Sequence, residues 1–246
     1  MNMIKIYNKA DKELEKNYIK FSKELKKSKI HFIKNKDKFK DIRDRINTYN
    51  NVIYKDCDNR RFVQPVFRDN VNDKKYSVEN CIKSFNKELN KIDRLFGVKF
   101  SNDYILYRGI EIKIDKFIPL KKGDKGIFNT YLWVSKNPFY SSQYSGIYQP
   151  TFQSDDWKKE YVYIFYKINV KKGTYFMTID YNTYYPEKSN YEVIILPRNY
   201  EYIITKVVEK VFGKTTLYFV DIDLINNNNK INYTLNDFDK FSYELL

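Results

Sequence analysis

Three side chains have types and placements suited to chemistry: Arg108, Ser135 and Glu192. Glu192 stands at the mouth of the apolar run Val193-Ile194-Ile195-Leu196, after the polar turn Pro186-Glu187-Lys188-Ser189-Asn190 and before Pro197. Such a run between turn residues reads as a buried strand. A carboxylate beside it is either solvated at the strand end or held in a cleft. Arg108 closes Tyr104-Ile105-Leu106-Tyr107 and is followed by Gly109. A guanidinium is a planar fork of donors that matches a phosphate, and a glycine lets a ligand approach the backbone closely. Ser135 closes Tyr131-Leu132-Trp133-Val134, where its hydroxyl can hydrogen-bond a neighbouring side chain. Taken singly, each has an ordinary reading: a salt-bridged surface Arg, a strand-end Ser, a solvated Glu. Their order along the chain carries the functional one, in which three strand ends converge on one pocket for a phosphate-bearing ligand.

The elements that would position them change character along the chain. Ile4, Tyr7, Leu14, Tyr18, Phe21 and Leu25 recur at helical spacing, and Phe39, Ile42, Ile46 and Tyr49 form a weaker stripe. His31, between them, reads as a surface or half-buried residue. Residues 50–76 read as loop and turns. A third helix starts at Ser77 as N-cap, with Glu79 in its first turn. Val78, Ile82, Phe85, Leu89, Ile92 and Phe96 form its apolar face, and Gly97 is placed to stop it. Beyond Gly97 the pattern alternates. Strands are expected at Tyr104–Tyr107, Tyr131–Val134, Val162–Val170, Tyr175–Ile179, Val193–Leu196, Tyr202–Val208 and Leu217–Leu224. Helices first and strands later mean an α+β fold. The expectation is N-terminal helices packed on a mostly antiparallel, two-sheet core, divided as a helical region 1–76 and a catalytic domain 77–246.

Composition sets the outer limits. A chain of 246 residues suits one domain with an extension. The net charge of +14 favours acidic partners such as nucleic acid, an anionic membrane surface or a phosphate-bearing ligand, and equally fits solubility and the bias of an AT-rich genome. Cys57 and Cys81 form no C-x-x-C pair, which points to a reduced compartment. Two cysteines and one histidine make a zinc site an unusual proposition, so no metal is expected. No signal peptide or membrane span is read in the sequence, which places the protein inside a cell, of its producer or its host.

Four segments in order carry a resemblance: Leu106-Tyr107-Arg108-Gly109; Ser135-Lys136-Asn137-Pro138 with Tyr144 downstream; Lys172-Gly173-Thr174-Tyr175; and Glu192-Val193-Ile194-Ile195-Leu196-Pro197. Together they resemble the arginine–serine–glutamate class of mono-ADP-ribosyltransferases, which includes bacterial toxins, phage enzymes and vertebrate ecto-enzymes. The resemblance runs from about Ser77 to about Leu224. It implies NAD as co-substrate and a macromolecular acceptor, a protein first of all, with nucleic acid in view because of the charge. By it, Arg108 would bind the NAD phosphates, the Gly109 backbone would meet the nicotinamide carboxamide, Ser135 would hold Glu192, and Glu192 would be the catalytic carboxylate. Trp133 and Tyr144 would line the NAD pocket.

A single carboxylate suits that reaction. Cleavage of the nicotinamide–ribose bond passes through an oxocarbenium-like state, as glycoside cleavage does. Nicotinamide leaves as a neutral molecule, so no second acid is needed, and one anion beside the ribose can stabilise the developing charge. Two departures from the family's pattern bear on the acceptor. The family often has Ser-Thr-Ser where this chain has Trp133-Val134-Ser135, and arginine-modifying members carry a Glu where this chain has Asn190. Asn190 can position an acceptor but cannot act as a base. A guanidinium acceptor, whose pKa is above ~12, calls for a second carboxylate; Glu187 is the nearest substitute. The reading is therefore an acceptor other than arginine. The alternatives are hydrolysis of NAD on the same fold, or a non-catalytic, basic nucleic-acid-binding or virion protein.

Overall fold

The computed structural model describes residues 24, 27, 46, 86–87, 89–128, 130–138, 141, 161–178, 193–212 and 215–227. Nine strands are formed there: β1 Val98–Lys99, β2 Tyr104–Lys113, β3 Lys125–Phe128, β4 Leu132–Ser135, β5 Tyr161–Val170, β6 Tyr175–Thr178, β7 Val193–Leu196, β8 Tyr200–Phe212 and β9 Thr215–Asn227. They lie in the order β1-β6-β7-β4-β2-β5-β9-β8-β3. Every neighbouring pair is antiparallel except β5 and β9.

Period-two alternation builds the core. On β5, Val162, Ile164, Tyr166, Ile168 and Val170 turn to one side, and Val220, Ile222 and Leu224 of β9 do the same. Leu106 of β2, Leu132 and Val134 of β4, Ile194 and Leu196 of β7, and Phe176 of β6 close on them in one cluster. Aromatic rings fill it: Phe100 stacks on Phe176 at 4.0 Å and Phe128 on Tyr202 at 4.5 Å. Gly126 on edge strand β3 lies so close under the Tyr202 ring that a Cβ there would come within 2.4 Å of it. The turn from β5 to β6 needs Gly173, whose φ is 88°.

Several elements differ from the sequence reading. β2, β8 and β9 run further than the alternation marks, because ladder pairing carries a strand past the end of its apolar run. β1 and β3 are additional; each is a short strand at one edge of the sheet. Helical turns end at Asp93, short of Gly97, where Leu95 N–H bonds to Ile92 O at 2.9 Å and tightens the last turn. Where two sheets are expected, hydrogen bonds join all nine strands into one. The division between its halves is reduced to a single bridging pair, Tyr107 with Ser135, where β2 meets β4.

The N-terminal helical stripes lie almost wholly outside the described residues. Glu24, Lys27 and Ile46 are described, and all three are helical. Glu24 and Ile46 are buried, and the Glu24 carboxylate accepts hydrogen bonds from Ser101 N–H at 3.0 Å and from the Ser101 hydroxyl.

A buried polar cluster docks residues 89–93 onto the short-strand half. Arg198, fully buried just past β7, donates to the Asp93 carboxylate from Nη2 at 2.9 Å and from Nε at 3.1 Å. The Tyr131 hydroxyl, just before β4, donates to Asp93 Oδ1 at 2.8 Å. Burial, and then the Asp93 charge, push the Tyr131 phenol well above its ordinary range.

Candidate active site

Past the single Tyr107–Ser135 bridge, β2 and β4 part. A buried carbonyl released from a ladder still needs a donor, and side chains supply it here. Arg108 Nη1 donates to Trp133 O at 2.7 Å, across the gap from β2 to β4. Ser141 Oγ donates to Tyr107 O at 2.8 Å. The parting is therefore a built feature, lined by polar groups that belong to neither ladder.

Arg108 is half-buried and alternates with Tyr107 and Gly109, so it takes the side of Leu106 and Ile110. A guanidinium has five N–H donors, and the bond to Trp133 O occupies one of its two terminal nitrogens. The rest of the fork suits a phosphate. Gly109 is buried opposite Phe165 of β5, with no side chain to cover the backbone. Ser135 is buried; its hydroxyl accepts from Asn137 N–H at 3.0 Å, which fixes the oxygen in a turn and leaves its proton to donate. Trp133 is half-buried on β4, paired with Ile195 of β7.

Strand β7 runs antiparallel to β4, from Leu132 opposite Leu196 to Ser135 opposite Val193. Val193 is the chain neighbour of Glu192. Glu192, Asn190 and Tyr144 themselves lie outside the described residues. The structure thus gathers Arg108, Gly109, Trp133 and Ser135 about one bridge and starts β7 beside it.

Other residues here escape a reading of the sequence. Lys136, directly after Ser135, is buried. Ser141 gives no signal until its partner carbonyl is known. Arg198 did leave one: it follows an apolar strand with only Pro197 between, as Glu192 directly precedes it. Burial, with the charges of Glu111 and Tyr161 added, pushes the Tyr163 phenol of β5 up to about 12. Among the described residues no group of three or more His, Cys, Asp or Glu could hold a metal ion, and no helix is long and apolar enough to cross a membrane.

No protein-family profile matches the chain, and no curated protein does. Solved structures do match. The ADP-ribosyltransferase Vis, in complex with an inhibitor called M6, superposes with a TM-score of 0.52 at 12% identity, covering 91% of this chain and 88% of that one. The Vis toxin from Vibrio splendidus aligns over 95% of this chain and 90% of its own, at 11% identity and a TM-score of 0.47. Plx2a, an ADP-ribosyltransferase toxin from Paenibacillus larvae, aligns over 83% of this chain and 96% of its own, at 17% identity and a TM-score of 0.47. The likeness to the inhibitor-bound Vis structure is one of fold: this chain is folded as an ADP-ribosyltransferase toxin is.

Proposed function

We propose that the protein is a mono-ADP-ribosyltransferase that moves ADP-ribose from NAD to a macromolecular acceptor other than arginine. The observation that carries this reading is the parting of β2 and β4, with Arg108 reaching across it to Trp133 O at 2.7 Å and Ser135 bridging it. The remaining Arg108 donors would hold the NAD diphosphate and fix the ribose. The Gly109 backbone would meet the nicotinamide carboxamide, and Trp133 and Tyr144 would wall the pocket. Ser135 keeps a hydroxyl proton to donate to the Glu192 carboxylate.

In the reaction the bond from the ribose anomeric carbon to the nicotinamide nitrogen breaks. Its electron pair leaves with nicotinamide, and the sugar becomes oxocarbenium-like. Glu192 would stabilise that cation electrostatically. The acceptor then adds to the anomeric carbon and gives up its proton to solvent water. Asn190 would orient the acceptor by hydrogen bonding and take no proton. The acceptor is proposed to be a protein, and the net charge of +14 keeps nucleic acid among the candidates.

Labelled NAD incubated with the protein and a cell lysate tests this. Label should pass to a macromolecule with release of nicotinamide, and Glu192→Gln should lower that rate by about a hundredfold or more. Nicotinamide release without any labelled macromolecule would make the protein an NAD glycohydrolase. Undiminished turnover by Glu192→Gln would remove the catalytic role given to that carboxylate.

A further inference from the structure

The connection from β2 to β3 has a composition the reaction does not use. Strands β5, β9 and β8 separate β2 from β3 in the sheet, so residues 114–124 must cross them. They cross on the core side: the Phe117 ring meets the Tyr218 ring of β9 at 4.9 Å, and Phe117 and Leu120 pack on the core cluster. Their neighbours turn the other way. Ile118 is 79% exposed, Ile114 is 58% exposed, and Pro119 is exposed as well. A crossing that served only to cover the core would carry polar side chains on its outer side.

The exposed isoleucines are held in place. Ile114–Lys116 form a 3-10 turn, and Phe117 N–H bonds to Ile114 O at 3.3 Å. Lys121-Lys122-Gly123-Asp124 make a second tight turn. Asp124 N–H bonds to Lys121 O at 3.1 Å, Lys121 N–H donates to Asp124 Oδ2 at 2.8 Å, and Gly123 has a φ of 94°. Gly123 N–H and Asp124 O then bond the carbonyl and the amide of Ile204, at 2.8 and 2.9 Å, and tie the turn to β8. Lys121, Lys122 and Lys125 are exposed, and no salt bridge among the described residues engages them. From Lys113 to Lys125 the sequence has five lysines against two aspartates, Asp115 and Asp124.

We propose that this connection is a membrane-contact site that seats the protein on a lipid surface rich in anionic headgroups. Ile114 and Ile118 enter the boundary between headgroups and acyl chains, and Lys121, Lys122 and Lys125 meet the headgroups. Area and chemistry select this partner. Three neighbouring apolar side chains fall far short of the roughly 800 Å² per partner that a stable protein interface buries, whereas a lipid surface takes up apolar side chains a few at a time. A nucleic acid would answer the lysines, but branched aliphatic side chains do not stack on bases as aromatic rings do. The site stands independently of the transferase reading.

Co-sedimentation of the full chain with vesicles decides it, using phosphatidylcholine alone and equal parts phosphatidylcholine and phosphatidylserine. The wild type should bind the anionic vesicles, leave the neutral ones, and bind less as salt rises. Lys121→Gln and Lys122→Gln should each weaken binding by about fivefold, the equivalent of about 1 kcal/mol per lysine near an anionic surface. Ile118→Asp should weaken it by more, with an unchanged thermal midpoint and unchanged nicotinamide release. A wild type that ignores the anionic vesicles would overturn the proposal. Binding that survives both Ile118→Asp and the loss of the two lysines would place the contact elsewhere and overturn it too. Binding that falls with the lysines but ignores Ile118→Asp would make the connection a bare anion patch, of the kind a nucleic acid uses, and overturn the membrane assignment. Where Ile118→Asp fails to fold, Ile118→Ser replaces it.

Discussion

Strands β2 and β5 are ten residues long and β8 and β9 thirteen, whereas β1 has two residues and β4, β6 and β7 have four each. The long half holds itself together. β2 and β5 pair without interruption from Tyr104 opposite Val170 to Lys113 opposite Tyr161, and β8 keeps pairing with β9 through two irregularities. The short half has too little ladder for that. It is held by the apolar side chains of β4, β6 and β7 in the shared core, and by the Asp93–Arg198–Tyr131 cluster at one end of β4 and β7. The opposite ends of these two strands, Ser135 and Val193, face the parting from β2. A short strand anchored at one end can give its other end to a site, whereas a strand committed to a long ladder on both sides has no such freedom.

The largest test of this contrast breaks the anchor. Arg198→Met would leave the largely covered Asp93 carboxylate with the Tyr131 hydroxyl but no counter-charge and should cost about 3 kcal/mol, read from urea unfolding. Adding Asp93→Leu should return most of that loss. If the single variant lost under about 1 kcal/mol, the short half would not depend on the cluster.

A smaller effect is expected where the long half reaches into the short one. Arg108→Lys keeps the charge and loses the planar fork that bonds Trp133 O and would hold the diphosphate. Nicotinamide release, as kcat/KM, should fall by about ten- to a hundredfold, corresponding to about 1.5–3 kcal/mol for a charged hydrogen bond. Unfolding should change by less than that. A stability loss with unchanged kinetics would make Arg108 a tie between strands and nothing more.

The smallest effect is alkaline and separates the halves by their tyrosines. Tyr131 in the short half and Tyr163 in the long half both hold their protons more tightly when folded, Tyr163 up to about 12. Unfolding therefore releases protons above the ordinary phenol value. The contribution is fully present below about pH 10 and is lost as pH rises through the folded values. Thermal midpoints followed from about pH 9 upward should fall past about pH 10. The fall should be shallower in Tyr163→Phe and in Tyr131→Phe, with Tyr104 and Tyr218, whose phenols burial also pushes up, contributing to what remains. A fall of the same slope in both variants would assign it to other groups.

How much was legible beforehand differs between the halves for the same reason. On β5, Val162, Ile164, Tyr166, Ile168 and Val170 announce strand, face and burial at once, because alternation is local. β4 and β7 were legible as apolar runs, and β7 with its bounds intact. Nothing in Lys125–Phe128 marks β3, whose strand character comes from β8 beside it. Arg108, Gly109, Trp133 and Ser135 were singled out by residue type and order. That Arg108 bonds the Trp133 carbonyl was not legible, since the two are far apart in sequence and the gap between β2 and β4 exists only once the sheet has formed.

By itself the sequence determined the residue types at the strand ends, the faces of the long strands and the excess of positive charge, all of which depend on neighbours within a few positions. The tertiary structure alone decided which strand ends meet. It also buried Arg198 against a half-buried Asp93 and turned Lys136 away from solvent next to Ser135. The physical reason is range: alternation and propensity act along the chain, whereas desolvation and ion pairing depend on groups brought together from distant positions.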